Sequence, residues 1–285
     1  MKSLSHSVQT GKHNISLFWT FVPITLLFIP NLFILFSFDV QFVKELYTES
    51  QINWFIALNH QLNQLPAYFW TNITKIGEAM ILLPMVFLFT FSNRKAWTSI
   101  IYSIPVASLL SVALKRLSSV PRPAAIIDHS EITIIGKTLI GHTSLPSGHT
   151  ITIFACSVAV LMSLYPSFNS NKDKMILGLF LFLTVMISLS RVAVGAHWPL
   201  DLIIGAACGW VAGQSGVMLQ QRFSDKTNNW KGWRWFYIIL FSLFSLALLI
   251  RLLNIELSHM IVLVSFVCSL LLVYKLIKQI NFISE

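Results

Sequence analysis

Three short polar segments interrupt an otherwise apolar chain, and their side chains could do chemistry together. The first is Lys115-Arg116-Leu117-Ser118-Ser119-Val120-Pro121-Arg122-Pro123, the second Pro146-Ser147-Gly148-His149, and the third Ser190 to Asp201 (SRVAVGAHWPLD). They supply Lys115, Arg122 and Arg191 as fixed cations, His149 and His197 as titratable groups, and Asp201 as a carboxylate. Guanidinium forks and an ammonium point charge suit a phosphate dianion. Ser147 can cap the helix that the second segment opens, and Gly148 lets a ligand approach the backbone closely. The free N–H groups and positive dipole end there form an anion site. His197 and Asp201 stand four apart, with Pro199 between them, where proline suits a first helical turn. Asp201 can accept the N–H of one ring nitrogen and leave the other free to attack. His149, on a different helix, can protonate a leaving oxygen. Nucleophile, orienting carboxylate, acid and cationic cradle are the parts phosphoryl transfer requires, with arginines neutralising charge in place of a metal. No metal and no cofactor is expected.

Elements that hold such a cluster must be membrane helices. The chain has 285 residues, 55% hydrophobic and 11% charged, against about 25% charged in an ordinary soluble protein. Its apolar runs approach the length of a spanning helix. Spans are expected at about 15–38, 71–91, 97–114, 149–165, 175–189, 199–219, 236–253 and 260–276. Residues 39–70 are mixed and aromatic, and would suit the membrane surface. The net charge of +9 does not call for nucleic acid, because the excess lies largely in short loops and follows the positive-inside rule. With the N-terminus cytoplasmic, twelve of the 20 Lys and Arg residues fall inside. The loops at 115–148 and 190–198 then share the opposite face. Cys156, Cys208 and Cys268 lie within apolar runs and show no disulfide or metal spacing.

The three segments are similar to the complete three-part signature of the type 2 phosphatidic acid phosphatase superfamily: Lys115, six residues, Arg122-Pro123; Pro146-Ser147-Gly148-His149; Ser190-Arg191, five residues, His197, three residues, Asp201. The similarity covers residues 50–219. It implies a six-helix core and metal-independent phosphate ester hydrolysis through a phosphohistidine. It implies His197 as nucleophile, Asp201 as its partner and His149 as general acid, with Lys115, Arg122, Ser147, Gly148 and Arg191 binding the phosphate. Substrates in that family include phosphatidate, phosphatidylglycerophosphate, undecaprenyl diphosphate, lipid A and sugar phosphates.

The expected protein is therefore an all-α integral membrane protein. It has a polar tail at 1–14, a phosphatase core at 15–219, and a cytoplasmic loop with two additional transmembrane helices at 220–285. Its partner is a membrane lipid phosphate, met at the non-cytoplasmic face, in a bacterium that of the inner membrane. The alternative is a lipid phosphotransferase that passes the phosphate to a second lipid. Elsewhere the reading is structural. Glu78, near a span start, belongs in hydrogen-bonded structure, and the Trp230–Trp235 cluster with Lys231 and Arg234 reads as an interfacial belt. Asp128, His129, Glu131 and His142 lie in the outer loop, outside the signature.

Overall fold

The computed structural model describes residues 40–165, 170–223, 230–254 and 260–281. The expected polar tail at 1–14 and first span at 15–38 lie outside the described residues. Among those described, the regular structure is helical. It comprises α1 (Val40–Glu49), α2 (Ile52–Leu62), α3 (Ala67–Ile76), α4 (Ala79–Phe89), α5 (Arg94–Ser118), a 3-10 turn at Pro123–Ala125, α6 (Gly148–Leu164), α7 (Asn171–Ala193), α8 (Pro199–Arg222), α9 (Trp230–Leu253) and α10 (Met260–Asn281).

Local chemistry explains the main boundaries. Asn93 starts α5 by accepting the Ala96 N–H at 2.9 Å, and Ser170 and Asp173 form a reciprocal capping box at the start of α7. At the far end of α5, Ser119 turns the chain in the left-handed region (φ 45°) and returns its N–H to the Lys115 carbonyl. Among the described residues, five helices are long and apolar enough to cross a membrane: α5, α7, α8, α9 and α10. The protein is an integral membrane protein. One expected span needs correcting. Residues 71–91 are not a single straight helix, because α3 and α4 meet at a 70° bend across Gly77-Glu78. Non-helical backbone of this kind is tolerated at membrane depth where it is buried in protein or lines a cavity.

The centre of the bundle is a trio. α6 and α8 pack on each other and both pack on α5. Glycines make the approach possible, since a Cβ at Gly209 would fall 2.7 Å from the Ile151 carbonyl oxygen. At Gly213 it would fall 2.7 Å from the Ala155 carbonyl oxygen, and at Gly216 it would overlap the Ser99 carbonyl of α5. Small residues at one face let membrane helices come close where apolar burial gives little net drive.

The two C-terminal helices belong to the same core. Tyr237 and Phe241 of α9, with Leu272 and Leu276 of α10, join Leu83 and Phe87 of α4, Trp97 and Ile100 of α5, and Ala159 of α6 in one apolar cluster. Part of the expected aromatic belt is packed instead. Arg234 is buried, with its Nη1 donating to the Gln279 carbonyl at 3.1 Å. The Trp233 ring stands edge-on to Tyr102, with centroids 6.3 Å apart. Trp235 stays exposed.

A Gly213→Val substitution would push branched carbon into the Ala155 backbone, where overpacking costs about 1–3 kcal/mol. Thermal melts in detergent should show Gly213→Val lowered by several degrees, while Gly178→Ala, whose Cβ meets open space, melts with the parent. Equal melting of both variants would contradict the packing described.

Candidate active site

The three polar segments meet where α5 ends, α6 begins, α7 ends and α8 begins. Backbone hydrogen bonds stitch them together. Ser144 N–H donates to the Val120 carbonyl at 3.0 Å, Arg122 N–H to Gly141 at 3.1 Å, and Ser147 N–H to Asp201 at 3.1 Å. The buried Trp198 indole donates to the Pro121 carbonyl at 2.8 Å. The turn that delivers His197 depends on Gly195, at φ +76°, where a Cβ would also lie 3.1 Å from the Thr133 carbonyl oxygen. The His197 and Ala196 amides both return to the Arg191 carbonyl, at 3.2 and 2.9 Å.

His197 is buried, and its two ring nitrogens face different partners. Nδ1 is 3.1 Å from Asp201 Oδ2, and Nε2 is 3.3 Å from Arg122 Nη1. A guanidinium can only donate, so the arrangement fits a proton on Nδ1 and a lone pair on Nε2. The same Arg122 Nη1 donates to the Ala196 carbonyl at 2.8 Å. Burial, and then Arg191, Arg122 and Lys115, hold the His197 imidazolium pKa well below its usual value. The ring is neutral near pH 7 and retains its lone pair.

Asp201 is fully enclosed and accepts four hydrogen bonds. Oδ2 takes the His197 ring, the Trp198 N–H at 2.9 Å and the Ser144 hydroxyl, and Oδ1 takes the Tyr47 hydroxyl at 2.8 Å. Tyr47 lies on α1, and burial followed by the neighbouring carboxylate raises its pKa well above the ordinary phenol, which keeps it a donor.

Around this pair stand the other candidate ligands. Ser147 is the N-cap of α6, accepting the Thr150 N–H at 3.4 Å. A Cβ on Gly148 would lie 3.8 Å from Lys115 Nζ, so that ammonium sits over the helix start. Arg191, 8% exposed, donates through Nη1 to the Thr74 hydroxyl. His149, one residue inside α6, packs its ring against Gly77, where a Cβ would approach to 2.8 Å. His149 and Arg191 share the wall of a cavity of about 260 Å³. The structure thus brings Lys115, Arg122, Ser147, Gly148, His149, Arg191, His197 and Asp201 to one place. Of the outer-loop residues, Asp128 caps its own turn through Ser130, and His129 bonds the Ala124 carbonyl.

Sequence reasoning missed the residues that brace this centre from α1 and α2. Besides Tyr47, Gln51 accepts the Leu200 N–H at 2.9 Å. Buried Asn59 donates to the Val192 carbonyl at 2.9 Å and accepts the Thr133 N–H at 2.8 Å, clamping the end of α7 to the outer loop. Phe55 lies edge-on to Trp198. The available signal was spacing. Tyr47, Gln51, Phe55 and Asn59 recur every four residues, a single helical stripe in a segment taken as surface-bound.

Residues 96–225 match the family model of the PAP2 superfamily. An undecaprenyl-diphosphatase of Sulfolobus acidocaldarius is 29% identical over 143 residues, which is 49% of this chain and 64% of that protein. The chain therefore spans a little under two thirds of that relative's length. A phosphatidylglycerophosphatase B of Bacillus subtilis is 27% identical over 149 residues, 49% of this chain and 68% of that protein. The crystal structure of Aquifex aeolicus LpxE overlays 59% of this chain and 94% of its own at TM-score 0.49 and 24% identity.

The His197 environment has a stability consequence. A histidine that stays neutral when folded but protonates when unfolded loses stability as pH falls below about 6.5. The loss continues until the depressed native value is reached. The drop in melting temperature between pH 7 and pH 5 should be smaller in His197→Gln than in the parent. A parallel drop in both would show that the ring is not held neutral.

Proposed function

We propose that the protein is a metal-independent lipid phosphatase acting at the non-cytoplasmic face of its membrane. One observation carries the reading: the Nε2 lone pair of His197, fixed by Asp201 on the opposite nitrogen, opens toward Arg122 at the edge of a cationic cradle. A phosphate seated among Arg122, Arg191, Lys115 and the α6 amides would present phosphorus to that lone pair.

His197 Nε2 attacks phosphorus, the bond to the leaving oxygen breaks, and His149 supplies the proton that oxygen takes up. A water then attacks the phosphohistidine, gives a proton to His149, and frees inorganic phosphate and the neutral imidazole. Arginine and lysine cations stabilise charge on the transferring oxygens throughout, as a metal would elsewhere. That many fixed positive charges would repel a divalent cation from the same space. The alkyl part of the substrate stays in lipid while its phosphate reaches the helix ends.

Phosphate release by the purified protein in detergent, from phosphatidate, phosphatidylglycerophosphate and undecaprenyl diphosphate, tests the reading. His197→Ala should abolish release, and undiminished turnover in that variant would overturn it. An acceptor-dependent phospholipid product in place of free phosphate would identify a phosphotransferase instead. Tyr47→Phe removes one donor from the Asp201 carboxylate, and a hydrogen bond to a charged group is worth about 1.5–3 kcal/mol. The substitution should lower kcat about tenfold or more with little change in KM, and an unchanged kcat would remove Tyr47 from the site's support.

A further inference from the structure

The cavity beside His149 has a composition that the hydrolysis step does not use. Its wall includes Lys75 and Glu78 from the α3–α4 bend, Lys137 from the outer loop, and His149 and Arg191 from the site. Lys115, Arg122 and His197 are not among its lining residues. The cavity therefore opens on the side of the candidate acid, away from the nucleophile, where a leaving group would lie. At about 260 Å³ it is smaller than the roughly 300–1,000 Å³ of ordinary small-molecule pockets, with room for a headgroup and none for an acyl or prenyl tail.

Its charge is one-sided. Lys75 Nζ is 3.1 Å from Glu78 Oε1, and the same carboxylate is held by both terminal nitrogens of Arg251 from α9, one of them at 3.2 Å. Glu78 is therefore more than neutralised before Lys137 and Arg191 are considered. Arg191 adds a buried Nε–H without a hydrogen-bond partner among the described residues. A diacylglycerol leaving group would bring no charge to this space. A leaving group with its own phosphate would bring one.

Resting on the phosphatase reading, we propose that this cavity is a leaving-group subsite that selects substrates whose leaving group itself carries a phosphate. The second phosphate lies between Lys75 and Lys137, and Arg251 neutralises Glu78 so that the wall keeps a net positive charge. Two chemistries present such a group: a lipid diphosphate, whose leaving group is a lipid monophosphate, and a glycerophosphate ester of a phosphatidyl lipid, whose leaving group is a phosphodiester.

The experiment compares kcat/KM for phosphatidate, phosphatidylglycerophosphate and undecaprenyl diphosphate, using the full chain in detergent micelles. At least one phosphate-bearing leaving group should exceed phosphatidate by about tenfold, the scale of a charge-assisted hydrogen bond. Lys137→Ala, an exposed loop change, and Lys75→Met should each shrink that ratio several-fold. A preference confined to the diphosphate or to the glycerophosphate ester supports the subsite and identifies its ligand. Equal kcat/KM on all three lipids, or a ratio untouched by both substitutions, overturns the subsite and leaves the phosphatase reading standing. Release from none of the three overturns both.

Discussion

The structure turns on a single buried carboxylate. Asp201 has no exposed surface, and an ionised group in that position is tolerable only with its lone pairs filled. Four donors fill them, and they come from different parts of the chain: Tyr47 from α1, Ser144 from the outer loop, the Trp198 amide from the turn before α8, and the His197 ring. Each donor needs its own support. Trp198 is fixed by the Pro121 carbonyl and by Phe55, Ser144 by the Val120 carbonyl, and the His197 turn by Arg191 and Gly195. The requirement to satisfy one charge thus sets the arrangement of α1, the outer loop and the turn before α8.

That dependence shows why some of the molecule could be read from the sequence and some could not. The eight signature residues were legible because type and spacing are local: a His and an Asp four apart, or a Ser-Gly pair opening a helix, states its geometry directly. Most of the spans were legible because apolar length is also local. The bend at Gly77-Glu78 was not, since its cause lies in contact with another element. Gly77 is where the His149 ring of α6 passes too close for any side chain. Tyr47, Gln51 and Asn59 were hidden for a similar reason. Their partners are 154, 149 and 133 residues away along the chain, and a polar residue in a short helical segment looks the same whether it meets water or backbone.

The C-terminal helices show how material outside the family segment, which ends at residue 225, becomes part of its architecture. α9 and α10 share an apolar cluster with α4, α5 and α6. Arg251 then carries that packing to the cavity wall by holding Glu78. The Ile261 amide at the start of α10 is capped by Asn72 of α3. The same two helices thus steady both sides of the bend.

Helix direction alternates around the centre. α5 and α7 run toward it and end there, while α6 and α8 begin there and run away. Lys115 and Arg191 occupy the last turns of the incoming pair, and Asp201 the first turn of an outgoing helix. Each of these three charges therefore sits at the end whose dipole favours its sign, a contribution of about 0.3–1 kcal/mol apiece and more when partly buried. Reversing α5, α7 or α8 would leave its charge opposed by its own backbone. The polarity of the bundle and the polarity of the site are a single choice, and a site of this kind can be moved to another bundle only together with the up-and-down order of its four helices.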